Sequence, residues 1–378
     1  MIAFGKNETL FSSITHLRFP AKLRILHINS ESGYRGGERQ LHLLARGLRE
    51  RGHEQLIVCR PASELESALR ADGLATATYA KPVLLGARSP FLRNRLREIA
   101  TDFRPDVVHA HTGNAHTMAV GAFLGDHPIV TTRRVDFAVG GKKYTAEGQR
   151  FIAISNGVRD VLVQGGVDPS RIDVVYSGID TARVRGGQGG ALRSEWLHGD
   201  AGPLIGFVGA LVDHKAPWIL AEAAPLIRAQ LPGARVVFVG DGEERPRLES
   251  LRAKHPDAVI LAGHRQDIAD CYAAFDLFVM PSKLEGLCTS LIDALAAGVP
   301  SIASRAGGIP DVVEDNVTGV LVPPLDREQL AAAVVALWGD EARRRKFAEN
   351  GARRVEERFT ARAMVEGTES VYTRMVAR

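Results

Sequence analysis

The sequence predicts an α/β protein of two parallel-sheet units facing each other across a cleft. Three observations carry this. Short β-rich runs alternate with helix-like segments almost throughout, as in a parallel sheet covered on both faces. The alternation stops at RVRGGQGGA (183–191), whose glycines and lack of apolar periodicity read as a linker, and then restarts. The chain has 378 residues, a length that favours two domains over one.

The elements follow in order. Residues 1–22 read as a loose N-terminal extension. Lys6, Glu8, His16 and Arg18 interrupt it, so it lacks the apolar core of a signal peptide. The first unit, 23–182, carries the runs RILHIN (24–29), EQLIVC (54–59), ATATYA (75–80), DVVHAH (106–111), PIVTTR (128–133), FIAIS (151–155) and IDVVYS (172–177). The second, 191–358, carries GPLIGFVGA (202–210), ARVVFVG (234–240), AVILAG (258–263), DLFVMPS (276–282), PSIAS (300–304) and GVLVP (319–323). A break near Phe359-Thr360 predicts a last helix, about 359–378, that crosses back to the first unit. In such sheets ligands bind beyond the carboxyl ends of the strands.

Composition narrows the function. Hydrophobic residues make up 45% and charged residues 24%, an ordinary globular profile. The net charge of +4 fits an anionic ligand or an anionic membrane surface better than nucleic acid. Cys59, Cys271 and Cys288 show no C-x-x-C spacing, so a cytoplasmic setting and no structural zinc are expected. No apolar run reaches the length of a membrane span. The basic segment ARSPFLRNRLREIATDFR (87–104) reads as an amphipathic helix for anionic lipid, or as a surface helix packed on the sheet.

The residues just after the strands are the candidates for chemistry. Gly36 and Gly37 open a helix, where backbone N–H groups approach a phosphate; a bare tight turn is the alternative. His111 ends its strand, as a hydrogen-bonding structural residue or a site residue. Arg133 and Arg134 are candidates for an anionic acceptor, or for an ion pair with Asp136. In the second unit Lys215 suits a diphosphate as a point charge. Gly242 looks like a turn glycine, and the backbone of His264 and Arg265 is placed to contact a base. Glu285 stands in a loop, with Asp293 eight positions on. Asp293 either accepts from ribose hydroxyls or caps its helix, since Ser290-x-x-Asp293 has capping-box spacing. There is no P-loop, no G-x-S-x-G, no H-E-x-x-H and no D-x-D, so no grip on a metal-diphosphate is visible.

With these residues in place the chain resembles the retaining glycosyltransferases of family 4, which have the GT-B fold of two Rossmann-like domains. Their E-x7-E motif stands here as Glu285 to Asp293, an E-x7-D form. Gly36-Gly37, HAHTGN, AISNGVRDVL, VVYSGID, VGDGEERPRL, AGGIPDVVEDNVTGVLVPP and the RFT segment also match, from about Leu23 onward. The RRVDF and EGLCTS wording looks similar to bacterial envelope and lipopolysaccharide transferases.

The resemblance implies an N-terminal acceptor domain and a C-terminal donor domain. Glu285 would contact the donor sugar and Asp293 the ribose. The backbone of Gly286, Leu287, Cys288 and Thr289 would face the sugar and phosphates. Lys215 would hold the diphosphate, His111 would sit beside the sugar, and Gly36 and Gly37 would lie close to the phosphate. Where family members carry an Arg this chain has Ala210, which leaves Lys215 without its usual basic partner. The expected activity is metal-independent, retaining transfer of a sugar from a nucleotide-diphospho-sugar to a glycan or lipid-linked acceptor. No cofactor is expected, and the inner face of the membrane is an expected contact. A nucleotide-sugar 2-epimerase and a non-catalytic sugar-nucleotide binder are the alternatives.

Overall fold

A computed structural model describes residues 22–79 and 86–377. The extension expected over 1–22 lies outside the described residues except for Lys22, as does Ala80 of the expected ATATYA strand.

The first sheet has seven strands, β1 (Arg24–Ile28), β2 (Glu54–Cys59), β3 (Thr76–Thr78), β4 (Val107–Ala110), β5 (Ile129–Arg133), β6 (Gln149–Ala153) and β7 (Ile172–Val174). Between them run α1 (Gly36–Glu50), α2 (Glu64–Ala71), α3 (Pro90–Phe103), α4 (Gly113–Phe123), α5 (Lys142–Thr145) and α6 (Asn156–Gln164). The strand order is β3-β2-β1-β4-β5-β6-β7, and every ladder is parallel.

After α7 (Gly190–Leu197), the second sheet has six strands, β8 (Leu204–Val208), β9 (Arg235–Val239), β10 (Val259–Gly263), β11 (Leu277–Met280), β12 (Ser301–Ser304) and β13 (Gly319–Val322). Its helices are α8 (Pro217–Gln230), α9 (Arg245–Lys254), α10 (Ile268–Ala274), α11 (Thr289–Ala296), α12 (Ile309–Val312), α13 (Arg327–Trp338) and α14 (Glu341–Arg358). The order is β10-β9-β8-β11-β12-β13, again parallel throughout. Strand β8 (LIGFV) is buried at all of its positions, because helices cover both faces of the sheet. With this topology the chain has the GT-B architecture.

The strand order reverses between β1 and β4 in the first sheet, and between β8 and β11 in the second. Connections leave such a point in opposite directions, which opens a crevice at the carboxyl ends of the two central strands.

The last helix, α15 (Ala361–Val376), returns to the first sheet. Its Met364, Val365, Val371 and Tyr372 join Ile25, Leu44, Leu48 and Val107 in one buried cluster. Glu369 is buried there and accepts from Arg51 (2.9 Å to Nε) and His53 (2.6 Å). Burial alone would raise its carboxyl, but the hydrogen bonds from Arg51 and His53 bring it below its ordinary value.

The structure sharpens two expectations. The stretch 183–191 connects the units but is packed tightly. A Cβ at Gly187 would lie 2.1 Å from the Ala269 carbonyl oxygen, so glycine serves close contact with α10 there. The basic segment 87–104 forms α3, but Leu92, Leu96, Ile99 and Ala100 are buried and spent on the protein core. Phe91 alone of its large apolar residues is strongly exposed, at 86%. Among the described residues no helix is long and apolar enough to cross a membrane.

Candidate active site

The site assembles at the two switch points. Beyond β1, the chain turns into α1 at Gly36, with Glu38 reaching back to accept from the Arg35 N–H at 3.1 Å. Gly36 is uncrowded: a Cβ on it would meet nothing within 4 Å. Beyond β4 comes His111, 2% exposed, and then Thr112, which caps α4 by accepting from the Ala115 N–H at 3.1 Å. Beyond β8 a single 3-10 turn, Asp213–Lys215, presents Lys215. Beyond β11 the loop bearing Glu285 leads into α11.

Lys215 and Glu285 meet directly, Nζ to Oε2, at 2.6 Å. Both side chains are mostly buried, at 15% and 13% exposure, which concentrates the field of the pair. Burial pulls the Lys215 ammonium down, but the Glu285 carboxylate outweighs it and raises the amine above its ordinary value. The two residues expected to serve the sugar and the diphosphate are therefore one charged unit.

The first unit closes over this pair. The Glu285 N–H donates to Asp136 Oδ2 at 2.9 Å. A Cβ on Gly286 would lie 2.2 Å from the Arg134 carbonyl oxygen, so only glycine lets the two loops touch. Asp136 was a candidate ion-pair partner for the two arginines. Instead it makes the domain-to-domain bond, and neither Arg133 nor Arg134 has a carboxylate partner among the described residues. Arg133 donates to the carbonyls of Val135 (3.1 Å) and Phe137 (2.8 Å). The Arg134 side chain runs beside Gly37, with Cδ 3.6 Å from where a Cβ would stand. Its buried Nε has no partner, and burial lowers its guanidinium to about 10.

Helix α11 does not begin as its sequence suggests. Cys288 precedes it in the left-handed region (φ 73°), and no side chain caps the helix. The capping-box alternative for Asp293 therefore fails. Asp293 is buried, its Oδ2 accepts from Arg183 at 2.8 Å, and its Oδ1 has no partner. Burial raises this carboxyl to about 6, against the opposing pull of Arg183. Leu287 and Cys288 are buried at 1% and 3% exposure, so they offer a ligand their backbone N–H groups only. Burial and Glu285 push the Cys288 thiol up to about 11, so it is no nucleophile near neutral pH.

The outlying candidates sit at the same edge of the second sheet. Gly242 backs onto the Leu211 carbonyl, where a Cβ would come within 2.4 Å of the oxygen. His264 is exposed, and Arg265 is paired with Asp267 at 2.5 Å. Sequence reasoning missed Arg183, Asp311, His27 and Gln55. Asp311 receives the Asn156 N–H at 2.5 Å and its side-chain amide at 2.7 Å, joining α12 to the start of α6 across the two units.

Residues 34–183 match the model of Glycosyltransferase Family 4, and residues 202–340 match that of the Glycosyl transferases group 1. The chain belongs to these glycosyltransferases. Among curated relatives, a D-inositol 3-phosphate glycosyltransferase of Nocardia farcinica is 33% identical over 267 residues, 65% of this chain and 56% of that protein. The matched stretch thus spans little more than half of that relative. A GDP-mannose-dependent alpha-mannosyltransferase of Corynebacterium glutamicum is 29% identical over 328 residues, 78% of this chain and 75% of its own length. Among solved structures, a glycosyltransferase from Rickettsia africae superposes with a TM-score of 0.83 at 20% identity, covering 94% of this chain and 99% of that one. Anabaena HepE in complex with UDP does so with a TM-score of 0.79 at 20% identity, covering 92% and 99%. Likeness at that identity is evidence of shared fold. The family names are transferase names, which weighs against the epimerase alternative.

Proposed function

We propose that the protein transfers a sugar, with retention and without a metal, from a nucleotide-diphospho-sugar to a glycan or lipid-linked acceptor. The observation that carries this reading is the Lys215–Glu285 pair, set 2.6 Å apart at one switch point and covered by the loop of Asp136 from the other unit. A protonated Lys215 stabilises the negative charge that grows on the leaving diphosphate. The N-terminus of α1, with Gly36 and Gly37, adds backbone N–H groups and a favourable dipole. Glu285 faces the sugar as it gains positive character, and Asp293 accepts from the ribose. The leaving phosphate takes the acceptor proton in a same-face attack, so no covalent nucleophile is needed.

The acceptor side is basic. A cavity of about 400 Å³ in the first unit lies between α3, α4 and the start of α5, rimmed by Arg88, Arg93, Lys142 and Lys143 over Leu92 and Met118. Among the described residues none of these four cations has a carboxylate within ion-pair reach. Burial, then Arg133 and Arg88, lower the Lys143 ammonium, as a cluster of like charges should. An acceptor with an anionic head and an apolar tail fits this rim and floor. Membrane contact therefore goes through this cavity and Phe91, on the inner face of the membrane. Assignment to cell-envelope or lipopolysaccharide synthesis rests on the RRVDF and EGLCTS wording.

A thermal-shift panel of nucleotide sugars tests the donor, since a ligand of the native state raises its melting temperature. One sugar nucleotide should stand out, and NMR of its transfer product should show the anomeric configuration kept. An inverted product, or full loss of transfer in EDTA restored by Mg²⁺, would show the diphosphate to be held in another way. Co-sedimentation with anionic but not neutral vesicles tests the membrane contact. Equal binding to both removes it.

A further inference from the structure

The buried polar groups behind His111 form an ordered chain that the transfer reaction above does not use. Gln55 Nε2 donates to the Ala45 carbonyl at 2.9 Å, which turns its Oε1 toward His27 Nε2 at 3.1 Å. An amide oxygen only accepts, so His27 carries its proton on Nε2. The other nitrogen, Nδ1, lies 2.9 Å from His111 Nε2. In a neutral His27 that Nδ1 is bare, so His111 must donate from Nε2. The remaining nitrogen, His111 Nδ1, is then an unprotonated acceptor, and it is buried without any partner.

The surroundings keep the chain neutral. His27 and His109 are fully buried and His111 is 2% exposed. Burial lowers His27 to about 4. Burial, then His109, His27 and Arg134, lower His111 well below the ordinary imidazole range. His109 packs against His111 with ring centroids 3.9 Å apart and planes tilted by 38°, and is itself held by Tyr372 and by Thr132, 2.7 Å from its Nε2.

We infer that Gln55 and His27 are positioning residues that fix His111 in the tautomer with a bare Nδ1, ready to accept a hydrogen bond from a substrate hydroxyl. The Arg134 guanidinium is close enough for His111 to feel its charge, and its buried Nε is likewise without a partner. A hydroxyl can donate to an imidazole nitrogen and accept from a guanidinium N–H. The same three imidazoles lie close enough to suggest a metal site, their ligand atoms all within 4.8 Å of one another. The relay argues against that use, because it commits both nitrogens of His27 and one of His111 to hydrogen bonds.

The role as hydroxyl acceptor rests on the proposed sugar transfer; the tautomers do not. Long-range ¹H–¹⁵N spectra of the full chain labelled with ¹⁵N-histidine read the tautomers at pH 7, with His27→Gln and His111→Gln used for assignment. Both rings should be neutral with the proton on Nε2. A His111 protonated on Nδ1, a charged His27, or one zinc ion binding stoichiometrically and shifting all three imidazoles would overturn the inference. The variant Gln55→Leu should bring out the Nδ1-protonated form of His111. It should lower kcat about 3- to 10-fold, the worth of one hydrogen bond, with nucleotide binding unchanged. A Gln55→Leu protein with wild-type tautomers and turnover would also overturn it. If the tautomers hold and no sugar nucleotide turns over, the relay stands and the transfer reading falls.

Discussion

Lys215 and Glu285 hold each other at 2.6 Å, so their variants should separate charge from shape. Glu285→Gln keeps the volume and removes the charge. It should lower kcat about 100-fold, as losing one electrostatic stabiliser does. Free nucleotide should bind no more weakly, because Lys215 is released for the diphosphate. Wild-type turnover in Glu285→Gln would mean the sugar is handled elsewhere. Asp293 predicts a pH effect. Burial raises its carboxyl to about 6 against the pull of Arg183, so it is expected to be charged above that pH and neutral below it. A neutral acid is the poorer acceptor for ribose hydroxyls. Donor KM should therefore rise as pH falls through about 6, and Asp293→Asn should show a raised KM with no such step. Sequence spacing left helix capping open beside ribose contact for Asp293. Only the left-handed Cys288 and the Arg183 contact, 110 positions away in sequence, decide against the cap.

At the scale of elements, the strands were legible because a parallel sheet buried on both faces demands unbroken apolar runs, as LIGFV and RVVFV show. Ends were less legible: β7 stops at Val174, short of the expected Ser177, and the chain then bridges from Ile179 to Thr360. Helix α3 shows a deeper limit. Arginines alternating with Leu92 and Leu96 read the same whether lipid or a sheet covers the leucines, and here the sheet does. His27 and Gln55 sat inside β-rich runs, where one sequence gives no sign that they face each other. The return of α15 was legible from the break at Phe359, but its anchor was not. Glu369→Ala leaves Arg51 and His53 without their acceptor and should cost about 1.5–3 kcal/mol in urea unfolding. Because the Glu369 carboxyl is lowered in the folded state, its contribution is present above the ordinary glutamate pKa and fades as the pH falls through the folded value. The stability gap between wild type and Glu369→Ala should thus narrow in acid. A gap independent of pH would mean that packing, not the charge, anchors the helix.

At the scale of the whole molecule, the two units are joined at their loops by short polar bonds. Asp136 receives the Glu285 N–H, and Asp311 receives the backbone and side chain of Asn156 at the start of α6. Each carboxylate comes from one unit and its donor from the other, so the bonds exist only when the cleft is closed. Asp311 also places negative charge at a helix N-terminus, which favours that state. Gly157 against Gly307 and Gly286 against Arg134 leave no room for side chains between the loops. Closure brings the Asp136 loop over the mostly buried Lys215–Glu285 pair, which would limit the access of water to the proposed donor. The double variant Asp136→Ala/Asp311→Ala should shift the population toward an open form. Small-angle scattering should show a larger radius of gyration without donor, and the difference should shrink when a saturating nucleotide sugar draws the units together. Its kinetics should fail in a particular way. Transfer to acceptor should drop, while hydrolysis of the donor to free sugar should take a larger share of turnover, because the open cleft admits water. Unchanged scattering together with an unchanged ratio of hydrolysis to transfer would show that these two bonds do not control closure.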